Sequence, residues 1–451
     1  MTLDRRKFFR TTLGGAIAGS VLPCSAHTTA DQWHVAGGFS DVLHAEAAAP
    51  GLLGTADVSR YEGIHAPARF AGCQIGQCLA ALREKTGVTI TSIETFCQGS
   101  QLCVVRVTTS DGMQGYGQTA PFDADITATV LHRKLARLVL GADLGQFEEI
   151  ADRCIEANYK FPWSFVCRAL AGIDTAIWDL LGKRAGKSVC ALLGGTARPL
   201  AVYGSSMRRD ITPADEAARL KKLRDTLGFK AFKVRVGKVC GRDEDAAPGR
   251  TAALIPAVRK AVGDGVSLKA DANSCYRPPK AIEVGRMLED YNYSHFEEPC
   301  PYWELEWTAE VARALEKIPV AGGEQDNDLA QWRRMIAMRA VDIVQPDVCY
   351  VGGFTRALRV ADMAHRANIP CVPHSANLSL IIIFTLHLMG AIPNAGPHVE
   401  FTIEGPGFAA GLYDPPPEVR DGMVRITDAP GWGVTVNPNW LQKAVRQVSQ
   451  L

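Results

Sequence analysis

From Pro199 onward, short apolar segments alternate with helix-length stretches, and nearly every apolar segment stops at a charged residue. The segments fall at 201–203, 231–236, 267–270, 295–296, 320–321, 342–344, 371–372 and 398–401. From the second onward, the polar residues at their ends are Lys233 with Arg235, Asp271 with Asn273, Glu297, Glu324, Asp347, His374 and Glu400. Successive charged ends therefore lie 23 to 38 residues apart. One strand, turn and helix needs roughly two dozen residues or more, so each charged group lands at an equivalent point of successive units. Eight units predict an α/β fold, a (β/α)8 TIM-type barrel over 198–405 rather than an open sheet. In a barrel the reactive groups gather at the C-terminal ends of the strands, where these residues stand.

Three consecutive ends are carboxylates: Asp271, Glu297 and Glu324. Brought to one side of a barrel mouth they repel one another, and an oxygen-ligated hard cation relieves that repulsion. Mg²⁺ fits best, with Mn²⁺ as the alternative. One acid alone would read as a helix cap or a surface ion pair; three in register do not. Asp347 and His374 close adjacent strands on the other side. A carboxylate beside an imidazole fixes its tautomer and raises its basicity, which makes a general base. Tyr302, with Trp303, and Tyr350 follow strand ends and are candidates for lining the pocket, although aromatics there also serve loop packing. Gly352-Gly353 reads as a tight turn, since the longer phosphate-loop fingerprint is missing. Arg208 and Arg209, after the first strand, read as a solvated pair, with the distal end of a diacid substrate as the alternative partner. The run 381–384 is far too short to span a bilayer and reads as a buried helix.

Upstream, the pattern changes. Residues 89–96 and 102–108 read as strands, Ser110-Asp111-Gly112 as the turn leading to a strand at 115–117, and 128–140 and 166–185 as helices. That predicts a separate α+β capping domain at 88–197. The last segment, 406–451, reads as a return that completes the cap. Residues 31–87 lack sustained periodicity and form an extension of unknown role, with one short helix expected at 79–85.

The first thirty residues, 1–30, read as an export signal. Arg5-Arg6-Lys7 precede an uncharged apolar stretch from Thr11 to Pro23, and Ser25-Ala26 offers a small-residue exit. The pattern resembles a bacterial twin-arginine signal, which implies the twin-arginine export machinery as a partner, a periplasmic or otherwise exported protein, and no membrane attachment after processing. Thirteen cysteines, spread from Cys24 to Cys371 without a C-x-x-C pair, are too sparse for a small secreted disulfide scaffold and read mostly as buried free thiols. Hydrophobic residues at 47% and charged residues at 22% exclude a mainly disordered chain. A formal net charge of +1 gives no basic excess, so no nucleic-acid partner is expected.

The positions Lys233-x-Arg235, Asp271-x-Asn273, Glu297-Glu298-Pro299, Gly323-Glu324, Asp347, His374 and Glu400 occur in the order found in the enolase superfamily. With Ala176-Ile177-Trp178-Asp179 and Leu192-Leu193-Gly194-Gly195, they make residues 88–440 resemble its mandelate racemase subgroup. The resemblance implies that Mg²⁺, held by Asp271, Glu297 and Glu324, binds a substrate carboxylate. His374, oriented by Asp347, would remove the adjacent α-proton to give an enediolate. Glu400 would hydrogen-bond the enediolate oxygen opposite the metal, Lys233 would neutralise the carboxylate, Asn273 would support the metal side, and Glu298 would stand behind the ligands. The family also implies a homo-oligomer, and specificity from cap loops near 96–101 and 118–125.

One position departs from the subgroup. Its racemases carry Lys-x-Lys, whose second lysine is the base on the face opposite the histidine. Arg235 stands there, permanently protonated: a poor base and a good anion or hydroxyl anchor. The expectation is therefore one-base dehydration of an acid sugar, a small-molecule carboxylate, to a 2-keto-3-deoxy acid. A racemase, epimerase or lactone cycloisomerase is the alternative, and a non-catalytic exported sugar-acid binding protein the remote one. Binding alone would not require the Asp347–His374 pair.

Overall fold

The structure is a computed structural model that describes residues 63–451. The expected export signal and residues 31–62 lie outside the described residues.

The first sheet is antiparallel, with strand order β14-β1-β2-β3. Its strands are β1 (Ile90–Gln98), β2 (Leu102–Thr109), β3 (Gln114–Gln118) and β14 (Val445–Gln450). β14 is the last element of the chain, and it pairs with β1 from Ser92↔Gln450 to Cys97↔Val445. Helix Phe165–Ala185 packs across this sheet, buried along most of its length. Gly115 and Gly117 of β3 permit the contact, because a Cβ at either would run into the helix backbone at Ala176 or Gly172. Asp179 of the helix ties three segments together. Its carboxylate accepts the backbone N–H of Tyr116 (2.8 Å) and of Trp432 (3.0 Å) and pairs with Lys183. The buried N–H of Trp432 would cost about 1–3 kcal/mol if left without an acceptor.

The second sheet is parallel and curls in the order β10-β4-β5-β6-β7-β8-β9. Its strands are β4 (Pro199–Ser205), β5 (Ala231–Arg235), β6 (Ser267–Asp271), β7 (His295–Glu297), β8 (Val320–Gly322), β9 (Ile343–Val344) and β10 (Val399–Thr402). Between consecutive strands run helices, among them Pro213–Leu227, Arg250–Val262 and Phe354–Arg366. The strand expected at 371–372 does not form a ladder. Cys371 alone bridges Val344 of β9 on one side and Ala395, in the loop before β10, on the other. Pro370 and Pro373 flank it, and a proline has no N–H to contribute to a ladder. The return segment adds β11 (Tyr413–Asp414) paired with β13 (Thr435–Val436), and β12 (Met423–Arg425), which lies antiparallel along the N-terminal end of β4. Leu380–Ala391, which contains the 381–384 run, is a buried helix. Among the described residues no helix is long and apolar enough to cross a membrane.

Residues 63–87 are part of the folded body. The helix there is Gln74–Leu82, beginning five residues before the expected start, and it buries Ile75 and Leu79. Phe70 is buried too, and its N–H is bound to the Asp362 carboxylate at 2.8 Å. Gly76 hides the helix from sequence inspection: it interrupts the periodicity because the Arg69 carbonyl occupies the place of its missing side chain.

Candidate active site

Side chains two apart on a strand share a face, so Lys233 and Arg235, Lys269 and Asp271, and His295 and Glu297 form inward pairs on three neighbouring strands. The register places Arg235 beside Asp271 and Asp271 beside Glu297. Glu324 follows β8 through Gly323, whose φ of 108° and close packing on the Trp332 ring exclude a side chain. The result is one buried cluster in which ligand atoms of Asp271, Glu297 and Glu324 lie within 4.8 Å of one another.

Two cations sit among these acids. Lys233 Nζ donates to Glu297 Oε1 (2.6 Å) and pairs with Glu400 Oε1 (2.8 Å), with Asp271 Oδ2 at 3.5 Å. The Arg235 guanidinium pairs with the Asp271 carboxylate and donates to Asn273 Oδ1 (3.0 Å) and the Ser206 carbonyl (3.0 Å). Burial pushes the Glu297 carboxyl up, but Lys233 and His295 outweigh it and hold the group well below the usual range. Glu324 behaves oppositely. Burial raises it, the His374 imidazole only partly offsets that, and Glu297 adds to the rise. Its Oε2 has no hydrogen-bond partner, and neither does Oε1 of Glu298, whose carboxyl burial and the charges of Glu324 and Glu297 push well up. Four buried acids with two orphaned oxygens and too few cations are the donor set of a hard divalent ion. The cluster fits Mg²⁺.

Across the mouth, His374 Nδ1 and Asp347 Oδ2 are 2.7 Å apart. Asp347 is itself fixed: its Oδ1 accepts the N–H of Cys349 (2.8 Å) and of Tyr350 (2.9 Å), capping the short helix Val348–Val351. This holds the proton on Nδ1 and leaves Nε2 facing the acids, 3.3 Å from Glu324 Oε2 and 4.0 Å from Glu400 Oε2. Burial lowers the imidazole's proton affinity, but Glu324, Glu400 and Asp347 raise it further, to about 10. Glu400 accepts from Ser205 Oγ (2.7 Å), Lys233 and the Ser375 N–H (2.8 Å). Burial alone would raise its carboxyl; Lys233 and His374 bring it down to about 2.

The remaining candidates divide. Asn273 donates its backbone N–H to Asp271 Oδ1 (2.8 Å) while its side-chain oxygen receives Arg235, so it braces that carboxylate. The Tyr350 ring lies 5.9 Å from that of His374, with the Arg168 guanidinium over it at 4.1 Å. Tyr302 is 37% exposed and borders a cavity of about 310 Å³ with Arg168, Trp303 and Gln325. Arg208 and Arg209 are not a solvated pair. Arg208 is exposed and bound to Asp210, whereas Arg209 turns under the site onto Asn273 Oδ1 (2.9 Å) and the Gly237 carbonyl (3.0 Å). Gly352 and Gly353 have φ of 107° and 110° and form the tight turn expected of them.

Sequence inspection missed four supports. Gln345 Nε2 donates to Glu297 Oε2 (2.8 Å), and His295 Nε2 lies 3.1 Å from the same oxygen. Ser205 and Ser375 hold Glu400. His295 was readable, since it stands two residues before Glu297 on the inward face; Ser205 ends the one strand that carries no charge at its tip.

Comparison with known proteins agrees with this geometry. Residues 215–440 match the family profile described as enolase C-terminal domain-like, and 80–194 match the mandelate racemase / muconate lactonizing enzyme N-terminal domain. The arabinonate dehydratase of Saccharolobus solfataricus is 31% identical over 346 residues, 74% of this chain and 88% of that one. A crystal structure from Roseobacter denitrificans, provisionally called a racemase, is 55% identical with a TM-score of 0.79, covering 80% of this chain and all of that one. L-talarate dehydratase from Polaromonas sp. JS666, solved with Mg and L-glucarate, is 26% identical with a TM-score of 0.71, covering 81% of this chain and 99% of that one.

Proposed function

The chain belongs to the enolase superfamily, in its mandelate racemase and muconate lactonizing enzyme branch, and from that premise we propose that it dehydrates an acid sugar to a 2-keto-3-deoxy acid. The observation that carries this is the imidazole of His374, fixed by Asp347 and directed at three clustered carboxylates. Asp271, Glu297 and Glu324 would hold Mg²⁺, with Mn²⁺ as a substitute. Bound there, the cation would offset the negative charge that grows on the substrate carboxylate as its α-proton leaves.

In this reading His374 Nε2 removes the α-proton, and the electrons of the broken C–H bond go into the enediolate. The β-hydroxyl then departs as water, taking its proton from the same imidazolium, and the enol left behind tautomerises to the keto acid. Lys233, paired with Glu400 at 2.8 Å, carries the ammonium proton that would be presented to the carboxylate oxygen. Arg235 favours one-base chemistry, because a guanidinium engaged with Asp271 and Asn273 cannot take a proton from the opposite face. That argument stands against racemisation despite the provisional name of the Roseobacter protein.

The test is incubation with pooled aldonic and aldaric acids and Mg²⁺ in D₂O, read by mass spectrometry. Loss of water from one member is the expected result. Deuterium uptake without water loss would overturn dehydration in favour of an epimerase. Export through the Arg5-Arg6 signal is likewise a proposal, motivated by that motif alone. Periplasmic protein with an N-terminus shortened to within the first thirty residues is the expected finding, and full-length protein confined to the cytoplasm would refute it.

A further inference from the structure

Among the described cysteines, two face each other across the first hairpin of the cap. Cys97 of β1 and Cys103 of β2 are direct partners in the antiparallel register. Their Sγ atoms are 2.6 Å apart, closer than unbonded thiols pack, and both residues are buried. Directly opposed residues in such a pair have Cα atoms about 4.5–5.5 Å apart, inside the roughly 4.4–6.8 Å that a disulfide spans. Bond formation therefore needs no movement of the strands.

The surroundings give the pair a consequence. Ala124 and Ala128, small and buried, pack against it. The Ala124 N–H binds the Ser100 carbonyl (2.9 Å) and the Phe122 N–H binds the Gln101 carbonyl (3.3 Å). The two cap loops from which the family resemblance implies specificity, near 96–101 and 118–125, thus meet around these two sulfurs.

We propose that Cys97 and Cys103 form an intramolecular disulfide by exchange with an external disulfide oxidant, fixing the hairpin that carries the first cap loop. Cys97, the more exposed at 7%, loses its proton and attacks the oxidant, forming a mixed disulfide and releasing one thiol. Cys103 then loses its proton and attacks the Cys97 sulfur, releasing the second thiol. Two protein thiols are oxidised, one external disulfide is reduced to two thiols, and the two protons end on those thiols. The greater exposure of Cys97 gives this order of attack, and burial with the neighbouring Cys97 pushes the Cys103 thiol well above its ordinary range. The inference is independent of the reaction proposed above.

Both cysteines fall in one tryptic peptide, residues 86–106, which contains no other. The full-length protein, purified with reductant, is treated while folded with glutathione disulfide or with diamide, then unfolded, alkylated and digested. The expected peptide is two hydrogens lighter than its reduced form and carries no alkyl group, and dithiothreitol restores both alkylation sites. In Cys103→Ser, glutathione disulfide leaves glutathione on Cys97. Two alkyl groups on the wild-type peptide after both oxidants, or a persistent glutathione adduct at Cys97, would overturn the proposal.

Discussion

The His374→Asn protein is expected to lose about 10³-fold or more in kcat on its acid-sugar substrate while binding Mg²⁺ at least as tightly as the wild type does, since a cation beside Glu324 has been removed. Asparagine approximates the shape of the inner half of the imidazole and can still hydrogen-bond to Asp347, but it has no nitrogen that accepts a proton. The three carboxylates are untouched, so titration calorimetry with Mg²⁺ separates loss of the base from loss of the cluster. A kcat within tenfold of wild type would remove His374 from the mechanism and revive the binding-protein reading. The pH dependence carries a sign that can be checked. In the metal-free protein the His374 pKa is raised to about 10, above the value of about 6.5 for a free imidazole. Its contribution to stability is therefore complete below pH of about 6.5 and is lost as pH rises towards 10. Urea denaturation of metal-free wild type against His374→Asn should show that difference closing over this window.

Much of the site was legible because a barrel converts sequence spacing into spatial convergence. Asp271, Glu297 and Glu324 are 26 and 27 residues apart in the chain, yet their oxygens meet within 4.8 Å. Only the strand period and the helix between strands were needed to foresee that. The seventh strand shows the limit. Its sequence position is right, but Pro370 and Pro373 reduce it to one bridged residue, and His374 is held at the mouth by a bond from its N–H to the Pro346 carbonyl (3.2 Å) rather than by a ladder. Residues that act through others left weaker signals. Gln345, Ser205 and Ser375 are uncharged, and nothing in a single chain distinguishes a polar residue that steadies a carboxylate from one facing solvent. Arg209 was misread for the same reason: two adjacent arginines look alike until the backbone sends one outward and the other beneath Asn273.

Arg235 is where sequence and structure bear on one question from different sides. Its chemistry excludes a second base, and its contacts supply what it does instead. Seated on Asp271 and Asn273, with its Nε on the Ser206 carbonyl, it is a fixed charge that orients one metal-side carboxylate. Lys233 orients Glu297 and helps hold its carboxyl below the usual range. The acids are thus held apart by protein cations on one flank and left short of charge at Glu324, which is where a divalent ion has most to offer.

Glu324→Gln follows from that asymmetry, and it is the least disruptive way to weaken the cluster. Glu324 Oε1 receives the Gln325 amide at 3.2 Å, a bond that a glutamine oxygen can keep, while Oε2 has no hydrogen bond to lose. By contrast, Glu297→Gln would set an amide N–H against Lys233, Gln345 or His295, all donors, and would confuse metal loss with misfolding. The expected result is a fall in Mg²⁺ affinity of about 10²-fold or more, with the metal-free protein still folded and its thermal unfolding lowered modestly near neutral pH, because the His374 imidazolium 3.3 Å away loses a partner. A second readout does not depend on turnover. Burial depresses the His374 imidazole, and Glu324 is foremost among the carboxylates that raise it to about 10. Removing that charge should therefore lower the His374 titration in the metal-free protein, observed by NMR of the labelled imidazole. Mg²⁺ added to the wild type should move the same resonance in the same direction, since a cation on Glu324 cancels the same field. That shared response is the link between metal and base: without the ion His374 is held protonated near neutral pH and cannot accept the α-proton. An imidazole that titrates identically in wild type and Glu324→Gln, with and without Mg²⁺, would break that link even if the metal affinity fell as expected.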